Sequence, residues 1–127
     1  MKFPAWCSVS IGVLMFAQWA FFLVAGQVPE VVTAPVALGF HLAAETATAI
    51  ALIVGGVGAL RRAPWAARLL LVANGLLIYT VITSPGYFAQ LGQWPLVAMF
   101  AALLVLALLS IRSLWRAEPY QPLRRAA

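Results

Sequence analysis

The chain has 127 residues, of which 65% are hydrophobic and 9% charged, with a formal net charge of +5. Soluble domains carry about 25% charged residues, and a soluble fold with so few charges would expose a large apolar surface. The composition therefore excludes an ordinary soluble enzyme and indicates an integral membrane protein, with the lipid bilayer as its first partner. Nucleic acid is not an expected partner, because no solvated basic face is available to bind it.

The hydrophobic pattern predicts an all-α fold, an integral membrane four-helix bundle. One spanning helix needs roughly 20 apolar residues, whereas residues 69–111 contain no Asp, Glu, Lys, Arg or His. Proline and glycine between Ser84 and Pro95 divide this stretch into two spans. The predicted spans are about 5–26, 36–60, 65–83 and 94–114, in a single domain of residues 1–117 that a short basic tail follows at 118–127.

The basic residues predict the orientation of the bundle. With four spans, all of them lie on one side: Lys2, Arg61, Arg62, Arg68, Arg112, Arg116, Arg124 and Arg125. The positive-inside rule then places both termini in the cytoplasm and the protein in the cell (inner) membrane. An alternative is that Lys2 and the apolar run ending at Gly26 form a cleaved signal peptide. Cleavage would leave three spans with the same orientation, so the charge pattern allows both interpretations.

One ionisable pair lies inside the second predicted span. Glu45 is the only acid well within a span, and His41 precedes it by one helical turn on the same face. A charge at the centre of a membrane helix costs about 2.5–3.5 kcal/mol on insertion scales, so such residues commonly mark a functional site. Polar residues of the first three spans are expected to surround this pair in a pocket in the outer half of the membrane. The candidate proton or ligand site is His41, Glu45, Thr48, Gln18, Asn74 and Tyr79.

The same face of the second span continues in small residues. Gly55, Gly56 and Ala59 are spaced so that a neighbouring helix can approach closely. We therefore expect this face to point into the bundle, where Glu45 could also act as a structural, hydrogen-bonded contact between helices. The fourth span has no strongly polar residue between Leu96 and Leu109, and we expect it to face lipid or a partner.

The chain has too few reactive side chains for most of the reactions that membrane enzymes catalyse. Cys7 is the only cysteine, so no disulfide or CxxC pair can form within the chain. One histidine cannot provide bis-imidazole haem ligation, and one His, one Cys and scattered carboxylates do not make a zinc site. Asp is absent, and the only lysine is Lys2. The sequence therefore predicts no metal, no cofactor and no enzymatic activity.

Two functions fit these features. The first is a non-catalytic accessory or structural subunit that forms a homo-oligomer or joins a larger membrane complex through its fourth span. The alternative is a small proton-coupled transporter or ligand-binding membrane protein that uses the pocket around His41 and Glu45. The two differ in whether Glu45 holds the bundle together or meets a proton or ligand.

Overall fold

The computed structural model describes residues 2–117, so the predicted tail at 118–127 lies outside the described residues. The described part is all helical, as expected from the sequence. The helices are α1 Lys2–Val24, α2 Glu30–Thr33, α3 Pro35–Leu60, α4 Ala66–Thr83, α5 Pro85–Gln90 and α6 Trp94–Ala117. Four helical segments are long and apolar enough to cross a membrane: α1, α3, α6, and α4 together with α5. The predicted number of long apolar helices is confirmed.

Three connections begin with the same helix-ending turn. Gly26 and Gly92 have positive φ angles of 67° and 71°, and Arg62 adopts the same left-handed conformation with φ of 57°. After α1, the N–H of Gln27 donates to the carbonyl of Phe22 at 3.0 Å, the longer bond of a Schellman motif. Equivalent bonds follow the other two left-handed residues. Each turn satisfies backbone carbonyls that a helix end leaves without partners.

Proline fixes the starts of two helices. Pro35 is the first residue of α3 and Pro85 the first residue of α5, positions at which a missing N–H costs no helical hydrogen bond. Ser84, between α4 and α5, keeps helical angles of φ −66° and ψ −38°. The chain therefore continues from α4 into α5 in helical conformation.

The four long helices form a ring. α1 packs on α3, α3 on α4, α4 on α6 and α6 on α1, and the α6–α1 contact is the least extensive of the four. At one end, the beginnings of α1 and α4 meet the ends of α3 and α6 in a buried cluster. The cluster contains Ala5, Ala59, Ala66, Leu70 and Leu114. We call this the arginine end, because the arginines of the described residues lie on the helix ends and the turn around it. The opposite end is the cavity end.

Small residues bring α3 close to both of its neighbours. A Cβ built on Gly55 would lie 2.8 Å from the side chain of Leu70 in α4. A Cβ built on Gly56 would lie 2.7 Å from the backbone carbonyl oxygen of Ala5 in α1. Ala59, the third small residue predicted for packing, is buried in the cluster at the arginine end. The glycines thus allow α3 to pack at short distance on two helices.

α6, which was expected to face lipid or a partner, is the least buried of the four long helical segments, and it still contributes one face to the core. Its buried residues recur at intervals of three and four: Phe100, Leu103, Ala107, Ser110 and Leu114, the spacing of one helix face. This face could not be predicted from the sequence, because residues exposed to lipid are as apolar as residues in the core.

Candidate functional site

A cavity of about 1100 Å³ occupies the cavity end of the bundle. Residues of α1, α3, α4 and α6 form its walls, while α5 and the connection between α1 and α3 contribute to its rim. The volume slightly exceeds the range of about 300–1,000 Å³ that is typical of small-molecule sites. Polar side chains among the lining residues include Gln18, Glu30, His41, Glu45, Tyr79 and Thr80.

Glu45 places a carboxyl deep on the cavity wall. It lies ten residues into α3, or about 15 Å along the helix at 1.5 Å per residue, and is 7% exposed. Its Oε1 is 3.8 Å from Nε2 of His41, whose side chain is 47% exposed. This distance permits an ion pair when the imidazole is protonated but is too long for a direct hydrogen bond. The pair thus has one buried member and one accessible member.

Two neighbouring helices bring polar side chains near the same carboxyl. Trp19 of α1 and Thr80 of α4 lie near Glu45 and line the cavity with it. The Trp19 ring also packs edge-on against the imidazole of His41, with 5.5 Å between ring centroids. The carboxyl therefore lies where α1, α3 and α4 meet.

Four of the six residues predicted for the site share this cavity. Gln18 and Tyr79 line it together with His41 and Glu45. Because α1 and α4 both flank α3, side chains at similar heights on the three helices converge on one space. Tyr79 is nevertheless 72% exposed, so it borders the cavity from a mostly exposed position.

The other two predicted residues lie elsewhere in the described bundle. The hydroxyl of Thr48 donates to the carbonyl of Ala44 at 2.9 Å, and the side-chain amide of Asn74 donates to the carbonyl of Leu70 at 2.8 Å. Both are buried, and neither lines the cavity. Each lies closer to the arginine end than the cavity and satisfies a hydrogen bond within its own helix.

Several lining residues were absent from the predicted site. Trp19 and Glu30 line the cavity, and α6 adds Phe100 and Leu103. Phe100 is stacked on Phe88 of α5, with ring centroids 5.8 Å apart and an interplanar angle of 23°. Trp19 could have been found as the neighbour of Gln18, one position along α1. The apolar residues of α6 carry no chemical signal that distinguishes a cavity wall from a packing surface.

The charges of the described residues are divided between the two ends. Glu30 and Glu45, the two acids within residues 2–117, both line the cavity. No Lys or Arg of this range lines it. Within the same range, no three His, Cys, Asp or Glu residues come together as a group able to hold a metal ion. The arrangement can hold a proton, a cation or a hydrogen-bond donor at Glu45.

Comparison with known proteins places the chain in a family. Residues 1–124 match the model of a family described as "Domain of unknown function (DUF8058)". The chain belongs to this family. The match extends over α1 to α6 and therefore includes the whole cavity. No curated protein and no solved structure matches the chain.

Proposed function

We propose that the protein is a membrane protein that binds a small amphipathic molecule in the cavity around Glu45. The observation that carries this proposal is the volume of about 1100 Å³ with a buried carboxyl on its wall. A carboxyl used only to join helices would be packed against its partners, and a space of this size beside it would weaken the packing. Binding a ligand gives both the space and the carboxyl a role.

We further propose how the bundle is oriented in the membrane and how the ligand enters the cavity. The arginine end faces the cytoplasm, according to the positive-inside rule, and the cavity end faces the opposite side of the cell membrane. Met15 and Phe22 of α1 and Leu96 and Leu103 of α6 line the cavity, and these two helices share the least contact in the ring. The proposed lateral path from the bilayer for an apolar ligand is therefore the less extensive contact between α1 and α6.

An accessory-subunit role has less support. The long helices expose many large apolar side chains, but lipid covers such surfaces on any membrane protein, so they do not specify a protein partner. A single carboxyl–imidazole pair also provides few groups for acid–base catalysis. Binding is therefore the proposed role, and transport would require the cavity to open at the arginine end as well.

Photolabelling with an uncharged, lipophilic aryl diazirine tests the cavity without knowledge of the ligand. Leu77 and Leu103 line the cavity and are buried, whereas Leu52 is equally apolar and buried but does not line it. We expect saturable labelling of Leu77 and Leu103, mapped by mass spectrometry, and no labelling of Leu52. Labelling confined to lipid-exposed residues would contradict the proposal.

Two tryptophan variants of α6 provide a matched control. Leu96→Trp adds bulk to the cavity wall, whereas Val105→Trp adds the same bulk at an exposed position that does not line the cavity. We expect the first variant to lose saturable labelling and the second to keep it. Equal labelling in both would show that the reagent reaches these leucines by another path.

A further inference from the structure

We infer that the ligand of the cavity is a lipophilic organic cation for which Glu45 is the counter-ion. This inference rests on the proposed function and specifies the chemical class of molecule that the cavity would take. The matching ligand carries one positive charge, on nitrogen or an equivalent centre, within an apolar body of drug-like size.

The charge of the cavity lining favours a cation. Glu30 and Glu45 line the cavity, and within residues 2–117 the lysine and all the arginines lie outside the lining. His41 is the one lining side chain of this range that carries a positive charge when protonated. A protein with a net charge of +5 thus has a cavity whose formal charges are negative. An anionic ligand would meet two carboxylates and no arginine or lysine from the described residues.

The position of Glu45 also favours a cationic ligand. Its carboxyl is buried from solvent at a depth where the surrounding lipid and protein screen charge weakly, so an attraction between opposite charges is stronger there than in water. An ionised carboxyl in such a place gains most from a partner that brings a positive charge. His41 can supply that charge only at 3.8 Å and from a half-exposed position. A cationic ligand in the cavity could approach the carboxyl directly.

The aromatic lining of the cavity also favours a cation. Four aromatic residues of α1, α5 and α6 line it from buried or partly buried positions: Trp19, Phe22, Phe88 and Phe100. Tyr79 and Tyr87 line it from exposed positions. The faces of aromatic rings attract cations, most strongly where water is excluded. The same rings provide apolar contact area for the body of the ligand. The lining therefore favours a molecule that is both positively charged and lipophilic.

Glu30 has a separate part in this arrangement. It begins α2, in the connection that follows α1, and is only half-buried. Its position on the cavity rim suits the first encounter with a cation, whereas Glu45 is deep enough to hold it. Removal of the Glu30 charge should therefore weaken binding less than removal of the Glu45 charge.

Two ions of nearly identical shape and opposite charge test the inference. Tetraphenylphosphonium and tetraphenylborate are each added to the purified full-length protein in detergent, at matched free concentrations, during diazirine labelling. We expect tetraphenylphosphonium to protect Leu77 and Leu103, which line the cavity, and tetraphenylborate not to protect them. Equal protection by both ions, or stronger protection by the anion, would overturn the inference.

Glu45→Gln is the decisive variant, with Glu30→Gln as its partner. Glutamine keeps the size and hydrogen-bonding capacity of the side chain while removing its charge. We expect Glu45→Gln to weaken tetraphenylphosphonium protection by at least about 30-fold, as for the loss of one partner of a buried charge pair. Glu30→Gln should weaken it by only a few-fold. Unchanged protection in Glu45→Gln would overturn the role of this carboxyl as counter-ion.

The uncharged label distinguishes this inference from the proposed function. If Leu77 and Leu103 are not labelled in the wild-type protein, the proposed binding cavity itself fails. If both leucines are labelled and only the preference for the cation is missing, the proposed function stands and the cationic class is wrong. Retained labelling of both leucines in Glu45→Gln is the control for folding of that variant.

Discussion

Gly56 of α3 packs directly against the backbone of Ala5 in α1. A Cβ on Gly56 would lie 2.7 Å from the carbonyl oxygen of Ala5 and 2.5 Å from the side chain of Val9. Gly12 repeats this relationship further along α1, where a Cβ would lie 2.8 Å from the carbonyl oxygen of Ala49. Two glycines on facing helices thus fix the separation of α1 and α3, the pair that positions Trp19 beside Glu45.

Gly56→Ala should therefore destabilise the protein. The obstructing atom is a backbone oxygen, so α1 must shift as a whole, at a cost of about 1–3 kcal/mol as in other overpacked sites. Gly55→Ala should cost less, because its new Cβ would meet the side chain of Leu70 and not a backbone atom of another helix. The measurement is the thermal midpoint of unfolding in detergent for both variants.

Gly75→Ala is the matched control for these substitutions. Gly75 lies within α4, and nothing would contact its Cβ within 4 Å. Alanine is favoured over glycine inside a helix by about 1 kcal/mol, so this variant should be as stable as the wild type or more stable. A loss of stability in Gly75→Ala equal to that in Gly56→Ala would contradict the argument from close helix contact.

Binding of tetraphenylphosphonium should weaken on acidification, because protonation of Glu45 removes its negative charge. A protonated His41 would also be an internal competitor 3.8 Å away. From the neighbouring helices, Trp19 of α1 and Thr80 of α4 lie near the carboxyl, and no Lys or Arg of the described residues lines the cavity. Protection of Leu77 against diazirine labelling, followed across pH, measures the effect.

His41→Gln separates the two protonation events. It removes the internal competitor and leaves the carboxyl, so the loss of protection on acidification should become smaller. An identical pH profile in wild type and His41→Gln would show that the imidazole does not compete for Glu45.

The sequence predicted the polar part of the site better than its apolar part. Glu45 and His41 are conspicuous because an ionisable side chain inside an apolar span is costly, and helical spacing alone places them on one face. The same logic selected Asn74 and Thr48, which bond to their own helices. Depth along a span can be counted from sequence, but the shape of the space between helices cannot.

The helices themselves were predictable for a different reason. Four apolar runs are long enough to cross a membrane, and their ends are marked by residues such as Gly26, Pro35 and Gly92. The packing of α6 was not predictable, since Phe100 and Leu103 are no more apolar than the exposed residues around them. A water-soluble helix would have shown its buried face by contrast with a polar one.

Arg62→Gly should stabilise the turn between α3 and α4. Arg62 has a φ angle of 57°, whereas glycine occupies the equivalent left-handed position after α1 and α5. Left-handed conformation costs a non-glycine residue roughly 1–2 kcal/mol, part of which is returned by the greater freedom of glycine in the unfolded chain. We expect a net gain of a few tenths to 1 kcal/mol in unfolding free energy. Arg61→Gly, at a φ of −86°, should give no such gain.

The stacking of Phe88 on Phe100 should hold α5 in place over the cavity. Phe88 is the residue of α5 that packs against the apolar core, and α5 has only six residues, too few for a stable isolated helix. An aromatic pair contributes about 0.5–1.5 kcal/mol beyond its buried area. Phe88→Ala should therefore increase amide hydrogen exchange in residues 86–90 by roughly tenfold, since 1.4 kcal/mol corresponds to a factor of ten.

Tyr87→Phe is the control, because it removes only a hydroxyl and keeps the ring that packs edge-on against Phe88 at 5.4 Å. Exchange in α5 should be unchanged in this variant, and exchange in the middle of α4 should be unchanged in both. If Phe88→Ala leaves α5 as protected as before, the helix is held by its continuity with α4 through Ser84 and not by the aromatic stack. If exchange rises in α5 alone, the stack keeps this part of the rim closed, and its opening gives a ligand a second path into the cavity.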